Sequence, residues 1–388
     1  MTQNLTRSVL QKILQAENIQ DLSYQDLARL TREEPGIATY IPDGVCQIDP
    51  RNGERILFNS ARARRPHDNR PTGETPPAIQ DPETCVVCAG QTTGVVDVAD
   101  LSQGFTFINK NLYPVLYPQK RPQPENRFEP GEPPPGPQGL PSHGLHLLQW
   151  TSSYHDRDWH NMPQADRMVV LQRLAALEQR LLATSAGAMP SVAGLDQRAG
   201  YHGFVEIIKN GGALVGGSLS HGHQQIGFSN LIPRRMLDNW RFEQQTGEKF
   251  SAYLQRVNPS ELLVREYETA LLVVPYFMRR PYDMLLLLKD VRKGYLHELD
   301  ADELAAVASS WHVAMQAIWQ FMPAMGREIA YNIITHNGPG AGLYFEFLPY
   351  TQEIGGFEHL GLYVCQGDPY QAAAHLREVM ADDPLRHV

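Results

Sequence analysis

The sequence predicts an α+β fold made of two tandem copies of one unit, and three observations predict it. A pattern of strand, helix, strand, glycine turn and strand begins near His143, and the same order recurs from about residue 283. The copies also correspond in residues: IIKNGG resembles ITHNGP, and SHGHQQI falls opposite YFEFLPY. Such self-similarity marks internal duplication. Finally, the 388 residues are more than one hydrophobic core usually serves, so two domains or two repeats are expected.

Each element has its own signal. Residues 1–35 place Leu10, Ile13, Leu14, Leu22, Leu27 and Leu30 at helical spacing, which predicts a helical extension of two helices. ERILFNS and GFTFINK read as strands. Residues 114–141 are so rich in proline and glycine that regular structure is nearly excluded, and they read as a loop. LHLLQWTSS is a strand, and residues 163–185 form an amphipathic helix with Pro163 near its start. FVEIIKN and LSHGHQQIGFS are the strands that follow. In the second copy DMLLLLKD is a strand, residues 300–322 a helix, and IAYNIITH and LYFEFLPY the closing strands. The halves are placed at 36–240 and 241–388.

Composition removes several classes. Apolar residues make up 42%, enough for a globular core, and no apolar run reaches a membrane span. The N-terminus lacks a basic start followed by an apolar core, so a cytoplasmic location is the default. The net charge of −9 and the lack of a basic block argue against broad nucleic-acid binding, which needs clustered cations against phosphates. Arg62, Arg64 and Arg65 are the local exception, suited to a phosphorylated ligand or to a solvated loop.

The chemistry concentrates in two motifs. Cys85 and Cys88 form a Cys-x-x-Cys. In a reducing compartment that spacing suggests metal or redox chemistry, and the loop-like flanks favour metal. Zinc wants two further ligands. His155 follows a strand end and His221 opens the strand of the first copy, so the four would make a closed Cys2His2 site. If His221 binds metal, His223 is left free on the same strand face, since residues i and i+2 of a strand share a face. A neutral imidazole there can act as a nucleophile. Gly211, Gly212, Gly216 and Gly217 either allow backbone to approach an anion and offer it N–H groups, or are merely turns. Ser218 supplies a neutral donor, and Gln225, on the face of His223, could hold a phosphoryl oxygen; Gln224 points the other way.

At these residues the chain resembles the galactose-1-phosphate uridylyltransferase-like branch of the histidine-triad superfamily, from about residue 50 to 382. IIKNGGALVGGSLSHGHQQI resembles its active-site stretch, DPETCVVCAG its zinc-binding Cys-x-x-Cys, FINKNLYPVL its base segment and LLQWTSSYHDRDWHNMP the segment of its third zinc ligand. GERILFNSARARRP resembles its arginine loop, and GGFEHLGLYVCQGDPYQAAAHLRE its C-terminal segment. The resemblance implies antiparallel sheets with packed helices, a homodimer and a ping-pong nucleotidyl transfer through a nucleotidyl-histidine on His223, assisted by Gln225. It implies that Asn210, Gly217 and Ser218 line phosphates, that Asn109 meets the nucleoside, and that Arg62 and Arg65 contact the acceptor phosphate. Cys85, Cys88, His155 and His221 would hold one structural zinc. A second metal, carried by some members, is not expected, because Tyr344 and Glu346 stand at its His-x-His and His336 alone remains. Of the sugar-contacting set only Glu358 survives, which leaves the sugar, the base (uracil or adenine) and the acceptor open. Substrates implied are a nucleotide sugar or dinucleotide with a phosphate-bearing acceptor. The alternatives are a dinucleoside polyphosphate phosphorylase or hydrolase using the same histidine, and a non-catalytic nucleotide-binding protein.

Overall fold

The computed structural model describes residues 4–49, 54–61, 84–118, 139–183 and 203–381. Arg62, Arg64 and Arg65 and most of the proline-rich 114–141 stretch lie outside them. The described start of the chain holds α1 (Arg7–Ile13) and α2 (Tyr24–Arg32). Thr6 caps α1, and Ser23 caps α2 in a reciprocal box with Asp26. These helices are built into the body, because Leu10, Ile19 and Leu27 are fully buried.

Three short strands, β1 (Val45–Ile48), β2 (Arg55–Leu57) and β5 (Leu140–Pro141), make a small sheet of their own. The main sheet has ten strands. The first half supplies β3 (Val95–Asp100), β4 (Phe105–Lys110), β6 (Gly144–Trp150), β7 (Phe204–Gly211) and β8 (His223–Ser229). The second half supplies β9 (Leu263–Glu266), β10 (Ala270–Val273), β11 (Met284–Leu288), β12 (Tyr331–His336) and β13 (Tyr344–Pro349). Their order is β3-β4-β6-β8-β7-β12-β13-β11-β10-β9, all antiparallel. Read outward from the central β7–β12 pair, the order is the same in both directions, so the predicted duplication is visible as two five-stranded halves of one sheet.

One face of the sheet is buried by helices. α3 (Gln164–Ala183) and α6 (Ala301–Ala324) occupy equivalent places and pack on each other. Both are buried on most of their turns, so α3 is less one-sided than its sequence pattern predicted. Asp300 caps α6 by accepting from Asp302 and Glu303 N–H groups. Glu178, buried in α3, accepts from His297 Nδ1 (2.9 Å) and from Asn337 Nδ2 (3.0 Å), tying the first half to the second.

The other face differs between halves. Over the second half lies α5 (Phe250–Val257), while α4 (Arg234–Thr246) packs Met236 and Leu237 with Phe204 of β7. Leu254 of α5 packs with Val273, Leu285, Leu287 and Tyr344. Over the outer strands of the first half, Leu5 and Leu10 pack with the Cys85–Cys88 loop, Phe105, Phe107 and Trp150. Two helices close the described chain, α7 (Gly356–His359) and α8 (Pro369–Val379). No helix of the described residues is long and apolar enough to cross a membrane.

Candidate functional site

Four side chains converge at the ends of elements in the first half. The ligand atoms of Cys85, Cys88, His155 and His221 all lie within 4.8 Å of one another, and all four residues are buried. The tautomers suit a metal. His221 Nε2 is 2.7 Å from the Ser152 carbonyl, which can only accept, so Nε2 carries the proton and Nδ1 faces the sulfurs with its lone pair. That Nδ1 is 3.7 Å from Cys85 Sγ and 3.6 Å from Cys88 Sγ. His155 Nδ1 is 3.7 Å from Cys88 Sγ, while its Nε2 lies 3.2 Å from Ser220 Oγ. A tetrahedral ion with bonds of about 2.0–2.3 Å would place such donors roughly 3.5 Å apart, so the set fits with little movement. A hydrogen bond from Cys88 pulls the Cys85 thiol well below its usual range.

The strand expectation for His221 is overturned. β8 begins at His223, where the pairing Trp150–His223 opens the β6–β8 ladder, and His221 stands before it. The two histidines therefore do not share a strand face. The donor cluster holds His221 outside the ladder, and the Gly222 carbonyl accepts from Thr151 as the chain turns in. Trp150 lies between the two, 5.4 Å from the His221 ring and 4.8 Å from that of His223.

His223 is buried, and its Nδ1 donates to the His221 carbonyl at 2.8 Å. Nε2 thus carries a lone pair. Burial, together with the charge of Lys209, pushes His223 down to about 4, which keeps the ring neutral. Lys209 comes from the helix-covered face: its ammonium lies 3.1 Å from the His223 carbonyl and 2.7 Å from Asp158. Burial pushes the Asp158 carboxyl up, but the Lys209 charge outweighs it and holds the group below its usual value. The peptide carrying the imidazole is therefore gripped from both sides of the sheet.

Gln225 shares the open face with His223. Its Oε1 is 3.1 Å from His146 Nε2. The Val115 N–H donates to His146 Nδ1 at 3.1 Å, so Nε2 is the protonated nitrogen and Gln225 Oε1 the acceptor. The NH2 end of Gln225 takes no part in that bond. Gln224 is buried on the helix side, bonded to Gln149 and Trp159. Asn109 uses its amide within the protein: Oδ1 accepts from Trp150 Nε1 (2.9 Å) and Nδ2 donates to Thr93 (3.0 Å).

The glycine loop between β7 and β8 departs from the simple anion-nest picture. The N–H groups of Val215, Gly216 and Gly217 are all taken, donating to Gly212 or Ala213. Gly212 and Gly216 have φ of 90° and 86°, and a side chain on Gly217 would meet the Gly212 carbonyl at 2.7 Å. The glycines make a tight fold possible, in which these three N–H groups are used inside the loop. Glu358 is partnered away from these residues, accepting from Gly355 (2.9 Å) and Val364 (3.1 Å) N–H groups. His146, Lys209 and Asp158 were not among the sequence candidates. Alternation along β6 would have put His146 on the face of Trp150, but only the register shows that this is the face of His223.

In the second half, Tyr344 occupies the place of His223 and Glu346 that of Gln225, rather than both replacing histidines. His336 Nε2 is 3.0 Å from Glu346 Oε2, and the Tyr344 hydroxyl bonds Asn239 at 3.2 Å.

The fold of this ten-stranded duplicated sheet is shared with solved uridylyltransferases and with an ADP-glucose phosphorylase. A solved uridylyltransferase superposes with a TM-score of 0.63 at 20% identity, covering 87% of this chain and 98% of its own. An ADP-glucose phosphorylase from Arabidopsis thaliana, solved with bound ADP-glucose, gives 0.60 at 17% identity, covering 86% and 98%. In sequence, the ADP-glucose phosphorylase of Arabidopsis thaliana is 22% identical over 353 residues, 85% of this chain and 92% of that protein. No family model matches the chain.

Proposed function

We propose that the protein is a nucleotidyltransferase acting on a nucleoside diphosphate sugar, either as a hexose-1-phosphate uridylyltransferase or as an NDP-sugar phosphorylase. The observation that carries this is His223: Nδ1 tied to the His221 carbonyl at 2.8 Å, Nε2 with a free lone pair, and the Gln225 amide on the same face. The relatives of this fold include proteins named for both reactions.

Nε2 of His223 attacks the α-phosphorus. A P–N bond forms, the bridging P–O bond breaks, and the sugar 1-phosphate leaves with the electron pair. The NH2 of Gln225 donates to the phosphoryl oxygens as charge moves onto them. A phosphate oxygen of the acceptor then attacks the same phosphorus, the P–N bond breaks, and the neutral imidazole is restored. Asn210 and Ser218, with the close approach that Gly217 allows, line the phosphates; Asn109 sets the base side through Trp150. Arg62 and Arg65 remain candidates for the acceptor phosphate, and Glu358 for the sugar.

Cys85, Cys88, His155 and His221 are read as holding one zinc ion. Four protein donors close a tetrahedral site, so the ion would fix the loops that carry His221 and His155. We also read the protein as a homodimer, because Phe357 (62% exposed), Leu360 (79%) and Leu362 (63%) cluster in one short segment.

Intact mass after separate incubation with UDP-glucose, ADP-glucose and a diadenosine polyphosphate tests the reading. An adduct of UMP or AMP size, absent from His223→Asn, supports it and names the base. An adduct from the dinucleotide alone moves the reading to a dinucleoside polyphosphate phosphorylase or hydrolase. No adduct and no turnover with any donor overturns it.

A further inference from the structure

Asn332 belongs to β12, in the half that lacks the histidines. The register pairs it with Asn210 of β7, across the junction of the halves. Its Nδ2 lies 2.8 Å from Asn210 Oδ1 and 3.3 Å from the Val215 carbonyl. A carbonyl can only accept, so the atom facing both is the amide nitrogen, which fixes the orientation of Asn332. The Asn210 oxygen is thereby committed. Its NH2 end is turned to the glycine loop, 3.8 Å from where a side chain on Gly216 would begin. This orientation matters because the loop has no N–H to offer from Val215, Gly216 or Gly217, all of which bond within it.

We propose that Asn332 is a positioning residue for the site of the other half: it holds the Asn210 amide with its donors toward the phosphates and braces the glycine loop at Val215. The inference rests on the proposed function for the identity of the phosphates as those of a nucleotide, and on the geometry alone for the anion site. Without Asn332, the Asn210 amide is free to turn and present its oxygen to an anion. The loop also loses the side chain that joins Val215 to the sheet.

The test is a double-mutant cycle of Asn332→Ala and Asn210→Ala, with Asn332→Asp as a variant of the same size. Three readouts are needed: the rate of His223 adduct formation with UDP-glucose or ADP-glucose, the Kd for inorganic pyrophosphate, and the melting temperature. Asn332→Ala is expected to slow adduct formation and weaken pyrophosphate about 10- to 100-fold, the effect of losing one hydrogen bond to a charged group. Asn332→Asp, unable to donate when ionised, should be at least as damaging despite preserving shape. In the Asn210→Ala background, Asn332→Ala should cost less than about threefold, because only the longer bond to Val215 is then left to lose. A melting loss with unchanged rate and Kd, or equal losses in both backgrounds, overturns the proposal. If the wild-type protein forms no adduct, the functional reading fails by itself, and pyrophosphate then decides the role of Asn332: weaker binding supports it, unchanged binding overturns it.

Discussion

The two halves place different residues at one position. Trp150 pairs with His223 in the first half as Leu287 pairs with Tyr344 in the second. His223 has one nitrogen bonded to the His221 carbonyl, which leaves the lone pair on the other. Tyr344 stacks flat on His336 at 4.3 Å and bonds Asn239, and Glu346 beside it pairs with His336. Helix α5 then covers that face, and Asn239 of α4 reaches Tyr344. A reactive site needs a polar atom deliberately left without a partner. In the second half the equivalent atoms have partners.

The comparison can be broken most sharply by removing the two ring residues in turn. His223→Ala should lower turnover by at least about 10⁴-fold, the scale of losing a covalent nucleophile. Tyr344→Phe should stay within about threefold. Comparable losses from both would show that the second half is chemically equipped after all. The metal cluster gives the next largest effect. Cys85→Ser should reduce bound zinc from close to one per chain and lower the melting temperature by on the order of 10 °C, because a structural ion contributes folding energy directly. Elemental analysis and calorimetry read both.

A smaller effect sharpens the picture of Gln225. His146→Phe removes the donor that fixes the Gln225 oxygen, and should lower kcat about tenfold with KM within about threefold. An unchanged kcat would show that the amide needs no such hold. For the second half, burial pushes Glu346 up, but the His336 hydrogen bond and charge outweigh it and hold the carboxyl at about 2. Its folded value is below its ordinary one, so its contribution is full above about pH 4.5 and is lost as pH falls through 2. Glu346→Gln should cost about 1–3 kcal/mol near neutral pH, and this difference should shrink between pH 5 and 2 in thermal melts. The smallest effect belongs to His223. Because its value is pushed down to about 4, the acid limb of single-turnover adduct formation should appear only near pH 4, and a midpoint near 6.5 would contradict the burial seen here.

Much of this was legible in the chain, and the failures have one cause. Cys85, Cys88, His155 and His221 could be grouped because ligand identity is written in residue type, and the repeat showed because both halves kept the same turn residues. The strands β1, β3, β5, β9 and β10 and the helices α4, α5, α7 and α8 were not read; the strands among them are short, and their register is set by neighbours far along the chain. His221 was placed in a strand because alternation continues through it; the donor cluster, a tertiary constraint, ends the ladder early. The glycine loop was read either as an anion nest or as turns, and the N–H groups of Val215, Gly216 and Gly217 bond within the turn. His146, Lys209 and Asn332 act across strands, and cross-strand partners exist only once register is fixed. Leu10 and Leu27 were read as an outlying extension, yet they fill the core.

The central β7–β12 pair also has a consequence for how the molecule could be divided. Its register runs from Tyr331–Gly211 to Thr335–Ile207, so each half completes the hydrogen bonding of the other. A fragment ending before β9 would carry all the residues of the histidine and cysteine motifs, yet β7 would be a bare edge of unpaired N–H and C=O groups. Such an edge is met by aggregation or by the β7 of an identical fragment, giving a symmetric dimer with two motifs where the full chain has one. The second half is, in that sense, a permanently attached partner that stops the first half from pairing with itself.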